Sequence, residues 1–108
     1  MTEQFFEQVL EETLKQTKEV LGVKAKEYRR NNNPMHNFEV AARIKKETRE
    51  QAMYGMSIKH EVSIIDIRND VEKGLLPDEE TVNEKFGDMI NYLILEKASI
   101  LDKIKNKN

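Results

Sequence analysis

The stretch Glu84-Lys85-Phe86-Gly87-Asp88-Met89-Ile90-Asn91-Tyr92-Leu93-Ile94-Leu95 sets carboxylates at i and i+4 on a helical pattern that is otherwise apolar. At about 100° per residue, Glu84, Asp88 and Asn91 fall within roughly 60° of one another. Phe86, Met89, Ile90, Leu93 and Ile94 fill most of the remaining circumference. An acidic stripe on so apolar a helix is not expected to lie wholly in solvent. Buried charge is costly unless it is paired or holds a metal, so the stripe calls for a salt-bridge partner or a cation.

The chain around that helix is 108 residues long, enough for one domain with a core of modest size. Charged residues make up 35% and hydrophobic ones 38%, which suits amphipathic helices with heavily charged outer faces. The net charge of −2 supplies no global positive field for nucleic acid or an acidic membrane. Without cysteine, disulfides, thiolate catalysis and zinc–thiolate sites are excluded. The segment Met1-Thr2-Glu3-Gln4-Phe5-Phe6-Glu7 is acidic and amphipathic, unlike a signal peptide, and no apolar run approaches a membrane span. A soluble cytoplasmic protein is the expectation.

Four helices are predicted. From Thr2 to Tyr28, Phe6, Val9, Leu10, Leu14, Val20, Leu21 and Val23 recur at helical spacing, with Thr2 as the cap and Gly22 weakening the middle or marking a bend. Asn31 to Asn33 before Pro34 form a turn. A second helix runs from Asn37 to Tyr54, with Phe38, Val40, Ala41, Ile44 and Ala52 inward, and Gly55 stops it. Ser57 caps a third, which holds Ile58, Val62, Ile65 and Val71 and ends at Gly74. Pro77 and Asp78 open the last, which runs to Lys105; Glu79 and Glu80 in its first turn and Lys103, Lys105 and Lys107 near its end suit the macrodipole. Val62-Ser63-Ile64-Ile65 is too short and too embedded in helical pattern to be a strand. The plan is an all-α four-helix bundle with a frayed tail over residues 105–108. Four such helices cannot easily bury both the N-terminal helix and the last one, so a homo-dimer or homo-tetramer is expected.

Glu84 and Asp88 are the leading ligand candidates. Magnesium favours oxygen ligands, often one or two carboxylates together with substrate phosphates. The competing reading is a solvated stripe or a bridge to a basic residue on a neighbouring helix. Glu61 lies one turn before Ile65 and is the better candidate on the third helix; Asp66, about 140° away from it, suits a surface or salt-bridge role. His60 suits a phosphate contact or the surface, and His36 a phosphate, a base or the completion of its loop. Lys24, Lys26, Arg29 and Arg30 suit a triphosphate or the basic end of a helix. Met35, Met53, Met56 and Met89 suit core filling.

These residues carry a resemblance. Glu84-Lys85-Phe86-Gly87-Asp88-Met89-Ile90 resembles the last acidic motif of MazG-type all-α nucleoside triphosphate pyrophosphohydrolases. Asp88 to Leu95 is similar to the Asp-x-x-Asn-Tyr helix of a MazG-like, often phage-borne group, the nucleotide-modification-associated domains. Lys26-Glu27-Tyr28, then Asn33-Pro34-Met35-His36-Asn37-Phe38 and Ala41-Ala42, resemble that group's Tyr-loop-Asn-Phe segment, and Arg68-Asn69 before Gly74 also fits. The similarity spans roughly residues 24–95.

The resemblance implies a magnesium-dependent, oligomeric all-α enzyme that hydrolyses a (deoxy)nucleoside triphosphate to the monophosphate and pyrophosphate. Glu84 and Asp88 would hold magnesium, with Glu61 adding a carboxylate from the facing helix; these three would carry catalysis. Asn91, Tyr28, His36 and Asn37 would meet the nucleotide. Where the family carries Glu-Glu-x-x-Glu, this chain has His60-Glu61-Val62-Ser63-Ile64, and only Glu61 matches. The alternative is a catalytically inactive nucleotide-binding module or a helical protein-interaction module.

Overall fold

Thr2 opens the first helix by accepting, at its side-chain oxygen, the backbone N–H of Phe5 at 3.1 Å. The computed structural model describes residues 1–23, 30 and 32–107. Among them the chain forms four α-helices and no strand: α1 (Glu3–Thr17), α2 (His36–Lys45), α3 (Arg49–Glu72) and α4 (Glu79–Lys105). A π-helical stretch, Lys18–Val23, continues α1 through Gly22, where a weakened middle or a bend was expected. The predicted extension of the first helix to Tyr28 lies outside the described residues. None of these helices is long and apolar enough to cross a membrane.

The second break falls earlier than Gly55. Lys46 adopts left-handed backbone at φ 57° and caps α2, and the Glu47 N–H closes on the Ala42 carbonyl at 2.9 Å. Thr48 then starts α3 with a capping box: its hydroxyl accepts from the Gln51 N–H, while the Gln51 side chain accepts from the Thr48 N–H. Gly55 and Ser57 therefore lie inside α3, and Ser57 is buried. Two satisfied caps at the start of α3 outweigh the roughly 1 kcal/mol that an interior glycine costs a helix. Asp78 caps α4 by accepting the Thr81 N–H at 2.7 Å, a bond that holds its carboxyl below the usual carboxylate range.

The core sits where α2, α3 and α4 meet. Met35, Phe38 and Met53 are buried, with Met56, Tyr92 and Leu95 packed on them. The predicted methionine filling is thus present in Met35, Met53 and Met56. The inward face of α3 differs from the prediction. Met53, Ser57 and Ile64 point in, whereas Ile58, Val62, Ile65 and Val71 stay exposed. On α2, Ile44 also faces solvent, one residue before the helix ends. α1 buries no residue and packs along α4.

A polar clamp closes the far end of the bundle. The Arg49 guanidinium, largely covered, donates to the Ser99 hydroxyl at 2.6 Å, the Ser99 carbonyl at 3.0 Å and the Asp102 carboxylate at 3.2 Å on α4, and to Glu39 on α2 at 3.3 Å. Ser99, fully buried, in turn donates to Glu50, as does Lys103. Burial pushes the Glu50 carboxyl up, but the donors Lys103 and Ser99 prevail and bring it down to about 2.

Candidate functional site

Asp78 and the two glutamates after it fix the start of α4, and the turns that follow set acids at steps of four. Glu80, Glu84 and Asp88 line one strip of the helix, which Asn91 continues. That strip opens on a cavity of about 1040 Å³ between α4 and α1. Glu79 and Glu80 stand at one end of it. Val9, Val20, Phe86 and Ile90 give it apolar walls, and Thr13, Gln16 and Thr17 of α1 face the acids across it. The hydroxyls of Thr13 and Thr17 donate to the carbonyls of Val9 and Thr13, so each presents lone pairs to the groove.

Asn91 carries the clearest unmet demand. Its side-chain carbonyl oxygen Oδ1 is buried and has no hydrogen-bond partner among the described residues. A buried acceptor without a donor costs about 1–3 kcal/mol, so a ligand that brings an N–H, an O–H or a water there gains by meeting it.

Asp88 is reached from the opposite side by α3. His60 Nδ1 lies 3.3 Å from Asp88 Oδ2, and the imidazole rests on Tyr92 with ring centroids 5.3 Å apart. Tyr92 in turn meets Phe38 edge-on at 6.3 Å. Burial raises the Tyr92 hydroxyl pKa, and the negative Asp88 nearby adds to the rise. The carboxylate of Asp88 lines the groove from a half-buried position, with His60 beside one of its oxygens.

The candidate residues divide as follows. Glu84, Asp88 and Asn91 share the groove, but Glu84 is exposed, contrary to the expected withdrawal from solvent, and accepts from the Lys85 ammonium at 3.3 Å. Glu61 is exposed on α3 and does not line that groove; its neighbour His60 is the α3 residue that touches the stripe. His36 and Asn37 form the first turn of α2, outside the groove, beside the Phe38 that packs on Tyr92. Tyr28 lies outside the described residues, as do Lys24, Lys26 and Arg29. Among the described residues, no group of three or more Asp, Glu or His side chains is disposed to hold a metal ion. Glu79 and Glu80, read from sequence only as partners of the helix dipole, line the groove as well. The signal for Glu80 was present in its four-residue step to Glu84.

No protein-family model, curated protein or solved structure matches this chain.

Proposed function

We propose that the groove between α1 and α4 binds a nucleoside triphosphate with magnesium and hydrolyses it to the monophosphate and pyrophosphate. The observation that carries this reading is the joint presence of Glu84, Asp88 and Asn91 along one cavity with apolar walls. The donor set is all oxygen, which suits a hard divalent cation. Glu84 and Asp88 would hold it, with Glu80 one turn away. Bound there, magnesium would supply charge neutralisation on the phosphates.

The chain's own groups supply the rest. His60 Nδ1 stands 3.3 Å from one oxygen of Asp88, on the α3 side of the carboxylate. Asn91 Oδ1 accepts from a water or from the nucleotide. Val9, Val20, Phe86 and Ile90 offer apolar surface beside the acids, against which a base can pack. The size of the cavity is at the upper end of ordinary small-molecule sites and admits a nucleotide. His36 and Asn37 lie outside the groove and Tyr28 outside the described residues, so none of the three carries a part in this reading. Glu61, on the solvent side of α3, has the least geometric support of the expected ligands.

A second reading is nucleotide binding without turnover. The observation that favours it is His60 at Asp88, where the resembling family places a further acid. One experiment separates the two. The protein is incubated with magnesium and a panel of ribo- and deoxyribonucleoside triphosphates, and pyrophosphate release is followed. Hydrolysis that falls at least about 100-fold in Asp88→Asn supports the enzyme. Calorimetric binding with no pyrophosphate from any triphosphate leaves the binding module, and neither binding nor release removes both.

A further inference from the structure

The accessible surface of the chain is 8788 Å² for a mass of 12.7 kDa. A folded monomer of that mass exposes about 6,200 Å². The radius of gyration, 16.3 Å, likewise exceeds the roughly 13 Å of a compact 108-residue domain. The excess area is about 2,600 Å² per chain, so two chains together carry about 5,200 Å², at the upper end of what obligate homodimers bury between them.

Much of the uncovered apolar surface lies on α4 and α1. On α4, Phe86, Ile90, Leu93, Ile100 and Ile104 recur at alternating steps of four and three, with Lys97 in the remaining place. That is a coiled-coil seam. It is turned roughly 120° from the side of Tyr92 and Ser99, which face the core. The groove that α1 shares with α4 is lined on α4 by residues between Glu79 and Asn91. Beyond it Leu93 is 58% exposed and Ile104 64%. On α1, Phe5, Phe6, Leu10 and Leu14 are each about half exposed.

Charge decides how two copies fit. A seam of α4 laid antiparallel on its own copy about its midpoint sets each Lys97 against Leu93 of the other, an ammonium in an apolar seam with no acid opposite it. α1 instead carries Glu3, Glu7, Glu11 and Glu12 against one lysine, whereas Leu93–Lys105 carries three lysines against Glu96 and Asp102. Acidic flanks beside apolar α1 match a basic helix half beside apolar α4.

We propose that the occupant of this face is a second copy of the chain: α1 of each protomer seats on the Leu93–Ile104 half of α4 of the other. The exchange is reciprocal, so it closes as a two-fold dimer without further growth. It does not depend on the hydrolase reading.

Sedimentation equilibrium tests it. At about 100 μM, above the micromolar limit for well-packed interfaces of standard size, the wild type should have twice the monomer mass. Leu93→Glu and Leu10→Glu should each give a monomer with unchanged far-UV helicity, because both side chains are already half exposed. Val62→Glu, on the outer face of α3, should leave the dimer intact. Lys97→Glu should weaken association about tenfold. A monomeric wild type overturns the proposal and leaves the face to a different protein. A dimer that survives Leu93→Glu, or is lost through Val62→Glu alone, overturns this seat. Should Leu93→Glu lose helicity, Lys97→Glu decides, and an unchanged dissociation constant overturns the proposal.

Discussion

Replacing Arg49 with alanine removes the cation that ties the start of α3 to the last turns of α4. The cost can be worked from the contacts. Two bonds run to Ser99, which is fully buried, from a guanidinium whose side chain is only 13% exposed. Bonds from a charged donor at such a site contribute about 1.5 kcal/mol each. The ion pairs to Glu39 and Asp102 involve carboxylates about half exposed, and together add less than about 1 kcal/mol. The expected loss is therefore about 3 kcal/mol. For a domain of this size that lowers the melting temperature by roughly 10–25 °C. Urea denaturation at fixed protein concentration measures it, with an unchanged slope showing that the same surface unfolds. Arg49→Lys should recover little, since one ammonium cannot reach the Ser99 hydroxyl, the Ser99 carbonyl and Asp102 together. A loss below about 1 kcal/mol in Arg49→Ala, or full recovery in Arg49→Lys, would refute the clamp.

Other outcomes follow from single contacts. Glu50 titrates near 2 in the folded chain against 4.5 for a free glutamate, so its contribution is present above about pH 4.5 and is lost as pH falls towards 2. Acid unfolding of Glu50→Gln should lack about 2 kcal/mol of that pH dependence; a profile identical to the wild type would contradict this. Thr48→Ala removes the acceptor of the capping box and should cost about 1 kcal/mol, read from chemical denaturation, with no change counting against the cap. Gly55→Ala should raise stability by about 0.5–1 kcal/mol, because the new methyl meets only the movable end of Lys45 at 3.4 Å; a lower melting point would show that the site is tighter than this.

Periodicity made the helices of this chain legible, and the groove partly so. The carboxylate strip of α4 was readable because four-residue steps survive any tertiary arrangement. Asp78 as a cap and the break at Pro34 follow from local backbone chemistry alone. The boundary between α2 and α3 was misplaced because Gly55 and Ser57 are conspicuous, while Thr48 and Gln51 form a quieter capping pair. Lys46 in left-handed backbone carries no sequence mark, since glycine or asparagine usually stands there. The inward face of α3 was misread because that helix is apolar on more than one side, and pattern alone does not rank Ile58, Val62 and Ile65 against Met53 and Ile64. His60 as the neighbour of Asp88 needed the crossing of α3 and α4, a long-range fact that no spacing encodes.

The chain has no tryptophan and three tyrosines, so Tyr92 supplies much of what little ultraviolet signal it has. Its ring lies under His60, and His60 touches the one carboxylate that both the groove and α3 claim. A cation or ligand that reaches Asp88 changes the charge beside that imidazole and so the surroundings of the phenol. The molecule thereby contains its own optical gauge of occupancy, and a titration can be followed by tyrosine emission without attaching a dye.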